Sequence, residues 1–212
     1  MKQQGLSFEP FEVLVNSGDT QQLQPPITLI PGYLNQEQQA ALLNEVKSYP
    51  LSRPEVQVYG QTHPIPRTQV WFGDSGCDYR YSGLFVSALP WPKYANKLRE
   101  KLYRDFKLET NGVLVNRYAD GRDSMGWHCD DEVEIRSGSD IASVSIGARR
   151  DFFIRHKVSL QKYQIPLNSG DLLIMHWPMQ NEWEHSVPKR LKVMEPRVNF
   201  TFRLLTKHYH PK

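Results

Sequence analysis

The sequence predicts a mainly β (α+β) domain of the sandwich or jelly-roll type, flanked by two helices. Three observations predict it. From Gly112 onward, short extended runs alternate with turn signals at the density expected of two packed sheets. Fifteen Pro and 13 Gly supply many turns. Helical periodicity is confined to two stretches before residue 107. At 212 residues, 39% hydrophobic and 23% charged, the chain suits one packed core.

In chain order, residues 1–26 are polar and Gln-rich and end in Gln24-Pro25-Pro26, which predicts a loosely ordered arm. Ile27–Ile30 predicts a short strand closed by Pro31-Gly32. Asn35 is placed as a helix N-cap with Gln38 at the capping-box position. Ala41, Leu42 and Val46 carry that helix to about Tyr49, and Pro50 ends it. Residues 55–74 hold two extended segments around a Gly- and Pro-bearing loop, a hairpin whose tip exposes Val58 and Tyr59. Tyr59 then either packs on its own hairpin or enters a base stack as an apolar wedge. In Asp78-Tyr79-Arg80-Tyr81-Ser82-Gly83, alternation puts Tyr79 and Tyr81 on one face, a pattern that core and interface strands share.

Pro92 suits the first position of a helix over 92–106, where Tyr94, Leu98, Leu102 and Phe106 recur every four residues. Its Lys93, Lys97, Arg99, Lys101 and Arg104 form a solvated face. Extended runs follow at 113–118, 141–147, 150–156, 158–163, 172–176, 185–187 and 197–205. Asp120-Gly121, the Ser/Gly loop at 136–140 and Ser169-Gly170-Asp171 are turn signals between them. The polar tail 207–212 is expected to fray. The organisation expected is an arm at 1–26, a scaffold at 27–111 and a β core at 112–206, with 27–206 as one domain.

A net charge of +3 permits a polyanionic partner without demanding one. The two cysteines, Cys77 and Cys129, form no C-x-x-C and no disulfide framework, which fits a reducing, intracellular setting. No apolar h-region follows Met1, and no apolar run approaches the ~18 residues of a membrane span.

The chemistry is concentrated in 116–131. In an extended backbone His128 and Asp130 point the same way, so an imidazole nitrogen and a carboxylate oxygen can meet one cation. His185 is the best candidate for a third ligand. Two His and one carboxylate make the facial triad of non-haem Fe(II) oxygenases, which leaves about three octahedral positions open. A His-x-Asp pair alone is weak, since 7 His and 23 acidic residues produce such pairs by chance. The stretch 197–203 adds weight. Val198, Phe200, Phe202 and Leu204 alternate with Arg197, Asn199, Thr201 and Arg203. The polar set is either the wet face of an edge strand or a site for a small dicarboxylate, whose oxygens match the planar fork of Arg.

Taken together, His128-x-Asp130, His185 and Arg197-x-Asn-x-Thr-x-Arg203 resemble the AlkB-type Fe(II)/2-oxoglutarate dioxygenases. Asn116-x-Tyr118 falls where that family keeps its Asn-x-Tyr, and the resemblance covers roughly residues 55–205. It implies a double-stranded β-helix with metal and co-substrate at its open end. It also implies Fe(2+) held by His128, Asp130 and His185, with 2-oxoglutarate and O2 as co-substrates. Arg197 and Tyr118 would take the far carboxylate, Arg203 and Asn116 the near one, with Asn199 and Thr201 between. The reaction implied is oxidation of an N-alkyl carbon on a damaged base, with release of formaldehyde from a methyl lesion.

Residues 55–74 resemble the nucleotide-recognition lid of the duplex-acting DNA repair branch, with Val58 and Tyr59 as its finger and Arg67 beside it. By the same resemblance, Tyr79, Tyr81 and Ser82 line the pocket for a flipped base, and Asp131 and Glu132 lie near the lesion. Carboxylates there favour cationic bases such as 1-methyladenine and 3-methylcytosine over neutral ones. Trp127 is expected to pack beneath the iron and Cys129 to face away from it. DNA is the partner expected first and RNA next; a monomer without membrane attachment is expected. Two alternatives are the same chemistry on RNA, protein or lipid, and a non-catalytic nucleic-acid-binding module. The three ligand candidates and both Arg speak against the second.

Overall fold

The computed structural model describes residues 13–14, 23–58, 60–81 and 84–210, with 13–14, 56–58, 81 and 84 by backbone alone. In chain order the elements are β1 (Val13–Leu14), β2 (Ile27–Ile30), α1 (Gln36–Val46), β3 (Glu55–Val58), β4 (Gln61–Pro64), β5 (Thr68–Gly73), β6 (Tyr79–Tyr81) and β7 (Leu84–Val86). They continue as α2 (Lys93–Phe106), β8 (Gly112–Tyr118), β9 (Met125–His128), β10 (Ile141–Gly147), β11 (Arg150–His156), β12 (Lys162–Leu167), β13 (Leu172–Met175), α3 (Met179–Glu182), β14 (Trp183–Val187) and β15 (Arg197–Arg203).

Period-2 alternation decides how these strands stack. In β8, β10 and β15 one set of alternate residues is apolar: Val113, Val115, Val144, Ile146, Val198, Phe200 and Phe202. These residues cover one face of a six-stranded antiparallel sheet, ordered β2-β13-β10-β15-β8-β5. They pack against Leu42 and Val46 of α1 and Leu98 and Leu102 of α2. Each such buried side chain contributes about 1.5–3 kcal/mol. The opposite face meets a five-stranded sheet, ordered β1-β12-β11-β14-β9. Between the sheets, Ile141, Leu173 and Met175 touch Phe152, Ile154, Ile165 and Trp183, so one end of the interior is apolar. The result is the expected jelly roll. Because β15 lies between β10 and β8, it is not an edge strand, and all seven of its residues are buried.

The helices form for local and tertiary reasons. Asn35 and Gln38 complete the predicted capping box of α1. Pro92 sits at the N-cap of α2, one position before the predicted place, and makes no side-chain cap. Glu45 of α1 supplies it instead, accepting from the Tyr94 and Ala95 amides at 2.9 and 3.1 Å.

Several local expectations shift. The second arm of the hairpin is β4 rather than β5: β3 and β4 pair from Glu55 with Pro64 to Val58 with Gln61, and Gly60 has φ +78°. β5 joins β8 as the edge of the large sheet. With β2 also in that sheet, the jelly roll draws on strands before residue 112. The strand expected at 158–163 begins later, because 157–160 form the β11–β12 turn with Val158 86% exposed. Within the arm, β1 pairs with β12. Tail residues 207–210 are docked rather than frayed: the His208 amide donates to the Gly76 carbonyl at 2.6 Å, and His210 pairs with buried Glu134. Among the described residues no helix is long and apolar enough to cross a membrane.

Candidate active site

The open end of the interior is polar. His128 ends β9, and His185 sits opposite it on β14 in the sheet register. Their ring centroids are 4.2 Å apart. Asp130 follows two residues after His128, its Oδ1 3.8 Å from His128 Nε2. One ligand atom from each of the three lies within 4.8 Å of the others. His128 Nδ1 donates to the Gly126 carbonyl at 2.9 Å, which leaves Nε2 with the lone pair a metal needs.

Protonation states suit ligation. Burial pushes the His128 imidazole below its usual value. Burial, aided by the neighbouring His128, takes His185 down to about 3. Burial alone would raise Asp130. The Arg203 guanidinium, 2.6 Å away, outweighs it and holds the carboxyl well below the usual range. Two neutral imidazoles and one carboxylate thus converge, the donor set of a facial Fe(II) site.

Beside them runs a polar row built by register. Gln69, Asn116, Asn199 and Ser145 stand opposite one another across β5, β8, β15 and β10. Arg197 Nη2 donates to Ser145 Oγ at 2.8 Å and to Asn199 Oδ1 at 2.7 Å. Asn199 Nδ2 donates to Thr201 Oγ1 at 2.8 Å. Arg197 Nε and Nη1 are buried and have no hydrogen-bond partner among the described residues. Burial lowers the Arg197 pKa to about 10. Unpaired N–H groups on a buried cation are costly, and a carboxylate is the group whose geometry answers them. The residues present therefore fit both an iron ion and a dicarboxylic co-substrate.

The cavity between the sheets is lined by His128, Asp130, His185, Asn116, Tyr118, Arg197, Asn199, Thr201 and Arg203 together. Arg67 also lines it, 2% exposed, donating from Nε to Asn116 Oδ1 at 2.8 Å and from Nη2 to Gln69 Oε1 at 3.3 Å. It belongs to the cavity wall rather than to the hairpin. Tyr79 takes the core position that its strand alternation suggests. It is 1% exposed, stacked on Trp71 at 4.9 Å, and accepts from Arg203 Nη1 at 2.7 Å while donating to Glu132. Its ring is core and its hydroxyl braces the site. Glu132 is half-buried, and burial raises its pKa. Asp131 is exposed.

Tyr59 and Ser82, and the side chains of Val58 and Tyr81, lie outside the described residues. Trp127 is not beneath the site: alternation turns it from His128, and the Arg155 guanidinium lies over its ring at 4.4 Å. Cys129 Sγ donates to the Trp183 carbonyl at 3.4 Å. The sequence reasoning missed Ser143, which lines the cavity, and Ser145 and Gln69, which extend its polar row. Ser143 and Ser145 carried a usable signal, being the alternate polar positions of an otherwise apolar strand.

A jelly roll with two imidazoles, one carboxylate and a carboxylate-binding row at its open end defines a non-haem iron oxygenase of the 2-oxo-acid class. Residues 26–203 match the family described as the 2OG-Fe(II) oxygenase superfamily, and the chain belongs to it. Over 176 residues it is 45% identical to "DNA oxidative demethylase ALKBH2" of Homo sapiens, covering 78% of this chain and 67% of that protein. It is 33% identical over 188 residues to "Alpha-ketoglutarate-dependent dioxygenase alkB homolog 3" of Mus musculus, covering 84% of this chain and 65% of that protein. The chain thus spans about two thirds of the length of these relatives. The solved structure described as "The structure of OsALKBH1" shares the fold, with a TM-score of 0.60, 19% identity, 86% of this chain covered and 100% of that one.

Proposed function

We propose that this chain is a DNA oxidative demethylase that directly reverses N-alkyl lesions of the 1-methyladenine and 3-methylcytosine type. The observation that carries the substrate is the 45% identity to a DNA oxidative demethylase across the segment that builds the site. Iron, 2-oxoglutarate and O2, when bound, supply the oxidant for the N-alkyl carbon. The chain's own residues do the rest. His128, Asp130 and His185 would hold the metal. Arg197, Tyr118, Asn199 and Thr201 orient one end of the co-substrate, and Arg203 and Asn116 the other. The sheets exclude water from the reacting centre. Exposed Asp131, next to the ligand Asp130, adds negative charge that favours a cationic base. Val58, Tyr59, Arg67, Tyr79, Tyr81, Ser82 and Glu132 complete the substrate side, with Arg67, Tyr79 and Glu132 acting from buried or half-buried positions. The chain acts as a monomer inside the cell, where reducing conditions keep iron ferrous and both cysteines free.

The test is base reversal and formaldehyde release on an oligonucleotide carrying 1-methyladenine, single-stranded and duplex, with Fe(II), ascorbate and 2-oxoglutarate. Reversal that requires 2-oxoglutarate is expected. Succinate without reversal would move the chemistry to RNA, protein or lipid, and neither product in iron-loaded protein would leave a binding module. Asp131→Asn is expected to narrow the preference for 1-methyladenine over 1-methylguanine; an unchanged preference would remove Asp131 from selection.

A further inference from the structure

Arg150 opens β11 and is 2% exposed, yet it pairs with no carboxylate among the described residues. Its guanidinium donates to three backbone carbonyls: Asp120 at 3.1 Å, Asp123 at 2.8 Å and Pro188 at 2.7 Å. The first two belong to the turn after β8, the third to the loop after β14. Backbone bonds tie the same two loops, Gly121 to Val193 at 2.7 Å and Arg190 to Gly121 at 2.7 Å. The approach is close enough that a Cβ on Gly121 would lie 1.7 Å from the Arg190 carbonyl oxygen.

The same guanidinium lies over the Tyr118 ring at 5.5 Å, and that of Arg197 over the same ring at 5.3 Å. Tyr118 and Arg197 are register partners on β8 and β15 and both line the cavity. Two buried cations therefore share one phenol, and Arg197 pairs with no carboxylate among the described residues either. A loop staple alone could use neutral donors. A buried cation held by carbonyls and set over a cavity tyrosine also contributes charge to that cavity.

We propose that Arg150 is a positioning residue for the distal carboxylate of 2-oxoglutarate. It fixes Tyr118 against Arg197 and adds a second buried positive charge at that end of the cavity. This role rests on the assignment of 2-oxoglutarate to the cavity. Because the carbonyls hold the guanidinium in place, little reorganisation opposes co-substrate binding. A unit charge about 10 Å from a carboxylate, at an effective dielectric of about 20, changes affinity by about tenfold.

The experiment is calorimetric titration of 2-oxoglutarate into the full chain loaded with Mn(II), which binds the co-substrate without turnover. The proteins are the unaltered chain, Arg150→Met, Arg150→Lys, Tyr118→Phe and the Tyr118→Phe/Arg150→Met pair. Arg150→Met is expected to raise the Kd about tenfold, and Arg150→Lys, which keeps the charge but loses the fork, by a smaller factor. Metal content and kcat at saturating co-substrate stay within about twofold. In the Tyr118→Phe background the effect of Arg150→Met shrinks, because the ring it orients no longer carries a hydroxyl. No binding by the unaltered protein would overturn the co-substrate assignment and this role with it. Normal binding by the unaltered protein with an unchanged Kd in Arg150→Met would overturn the role alone. Equal losses in both Tyr118 backgrounds, with lowered metal content, would reduce Arg150 to a loop staple. Should Arg150→Met not fold, an unchanged Kd in Arg150→Lys overturns the positioning role.

Discussion

Arg203 Nη2 donates to Asp130 Oδ1 across 2.6 Å, and both side chains are buried. The other arm of the guanidinium reaches the Tyr79 hydroxyl at 2.7 Å, and Tyr79 reaches Glu132. Asp130, the carboxylate proposed to bind the metal, is thus the end of a chain of charge-assisted bonds that passes through β15 and β6. Groups that orient a ligand typically matter about 10–100-fold in metal affinity. Arg203→Met is expected to weaken Mn(II) or Fe(II) binding by about that factor, read by chelator competition. It also leaves a buried carboxylate unpaired, at a cost of roughly 3–5 kcal/mol in denaturant unfolding. Tyr79→Phe keeps the ring on Trp71 and removes one bond, so its effect is smaller. Metal affinity within twofold in Arg203→Met would mean that Asp130 is held by something else.

Arg197 makes the opposite prediction for stability. Its Nε and Nη1 are buried and have no hydrogen-bond partner among the described residues, so without a carboxylate ligand the cation is incompletely satisfied. If Arg197 is removed, Asn199 Oδ1 still accepts from Ser143 at 3.0 Å and Ser145 at 3.4 Å. Arg197→Met is therefore expected to leave metal-free stability unchanged or raise it by about 1–3 kcal/mol. The same change removes charge-assisted bonds to the co-substrate and raises its Kd by roughly 10–100-fold. Thermal melting and titration read the two effects separately. A clear drop in melting temperature would show that the guanidinium is satisfied in the empty protein.

What the sequence disclosed follows from where period and chemistry coincide. In β15 alternation and residue type agree, so Arg197, Asn199, Thr201 and Arg203 were legible as one polar face. His128 and Asp130 were legible because i and i+2 share a side of an extended chain, and His185 because it was the partner the chemistry lacked. The capping box of α1 is local and was read directly. Register is not local. That Gln69, Asn116, Asn199 and Ser145 form one row depends on four strands from distant segments. For Tyr79, spacing fixes a side of the strand but not what covers it; Trp71 covers it. Arg67 stood in a segment that looked like hairpin, yet the true hairpin closes at Pro64 and leaves Arg67 at the start of β5.

The same limit hid the cap of α2. Its first turn has no capping side chain of its own, and Glu45 of α1 accepts from two of its amides and from the Tyr49 hydroxyl at 2.7 Å. A carboxylate at a helix N-terminus answers both orphan donors and the macrodipole. Glu45→Ala is expected to cost about 1.5–3 kcal/mol in urea unfolding. Glu45→Gln, which keeps an acceptor but no charge, should cost less. A loss under about 0.5 kcal/mol for the Ala variant would mean that water caps α2 equally well.

His185 sets the pH response of the metal-free protein. Its folded-state pKa is about 3, against an ordinary value of 6.5, because burial and the adjacent His128 disfavour the imidazolium. The unfolded chain therefore takes up the proton first. This contribution is intact above about pH 6.5 and is lost as pH falls from there towards 3. At about 1.4 kcal/mol per tenfold, the loss reaches at most roughly 4–5 kcal/mol at the acid end. Asp130, held below the usual carboxylate range, begins to add its own loss only below about pH 4, so the two are separable between pH 6.5 and 4. Urea midpoints of metal-free protein at pH 7, 6, 5 and 4 should fall steadily, and His185→Gln should flatten the fall between pH 6.5 and 4. Parallel curves for the two proteins would show that His185 is protonated in the fold. Bound metal should steepen the dependence, because protons and the metal compete for the same imidazole nitrogens.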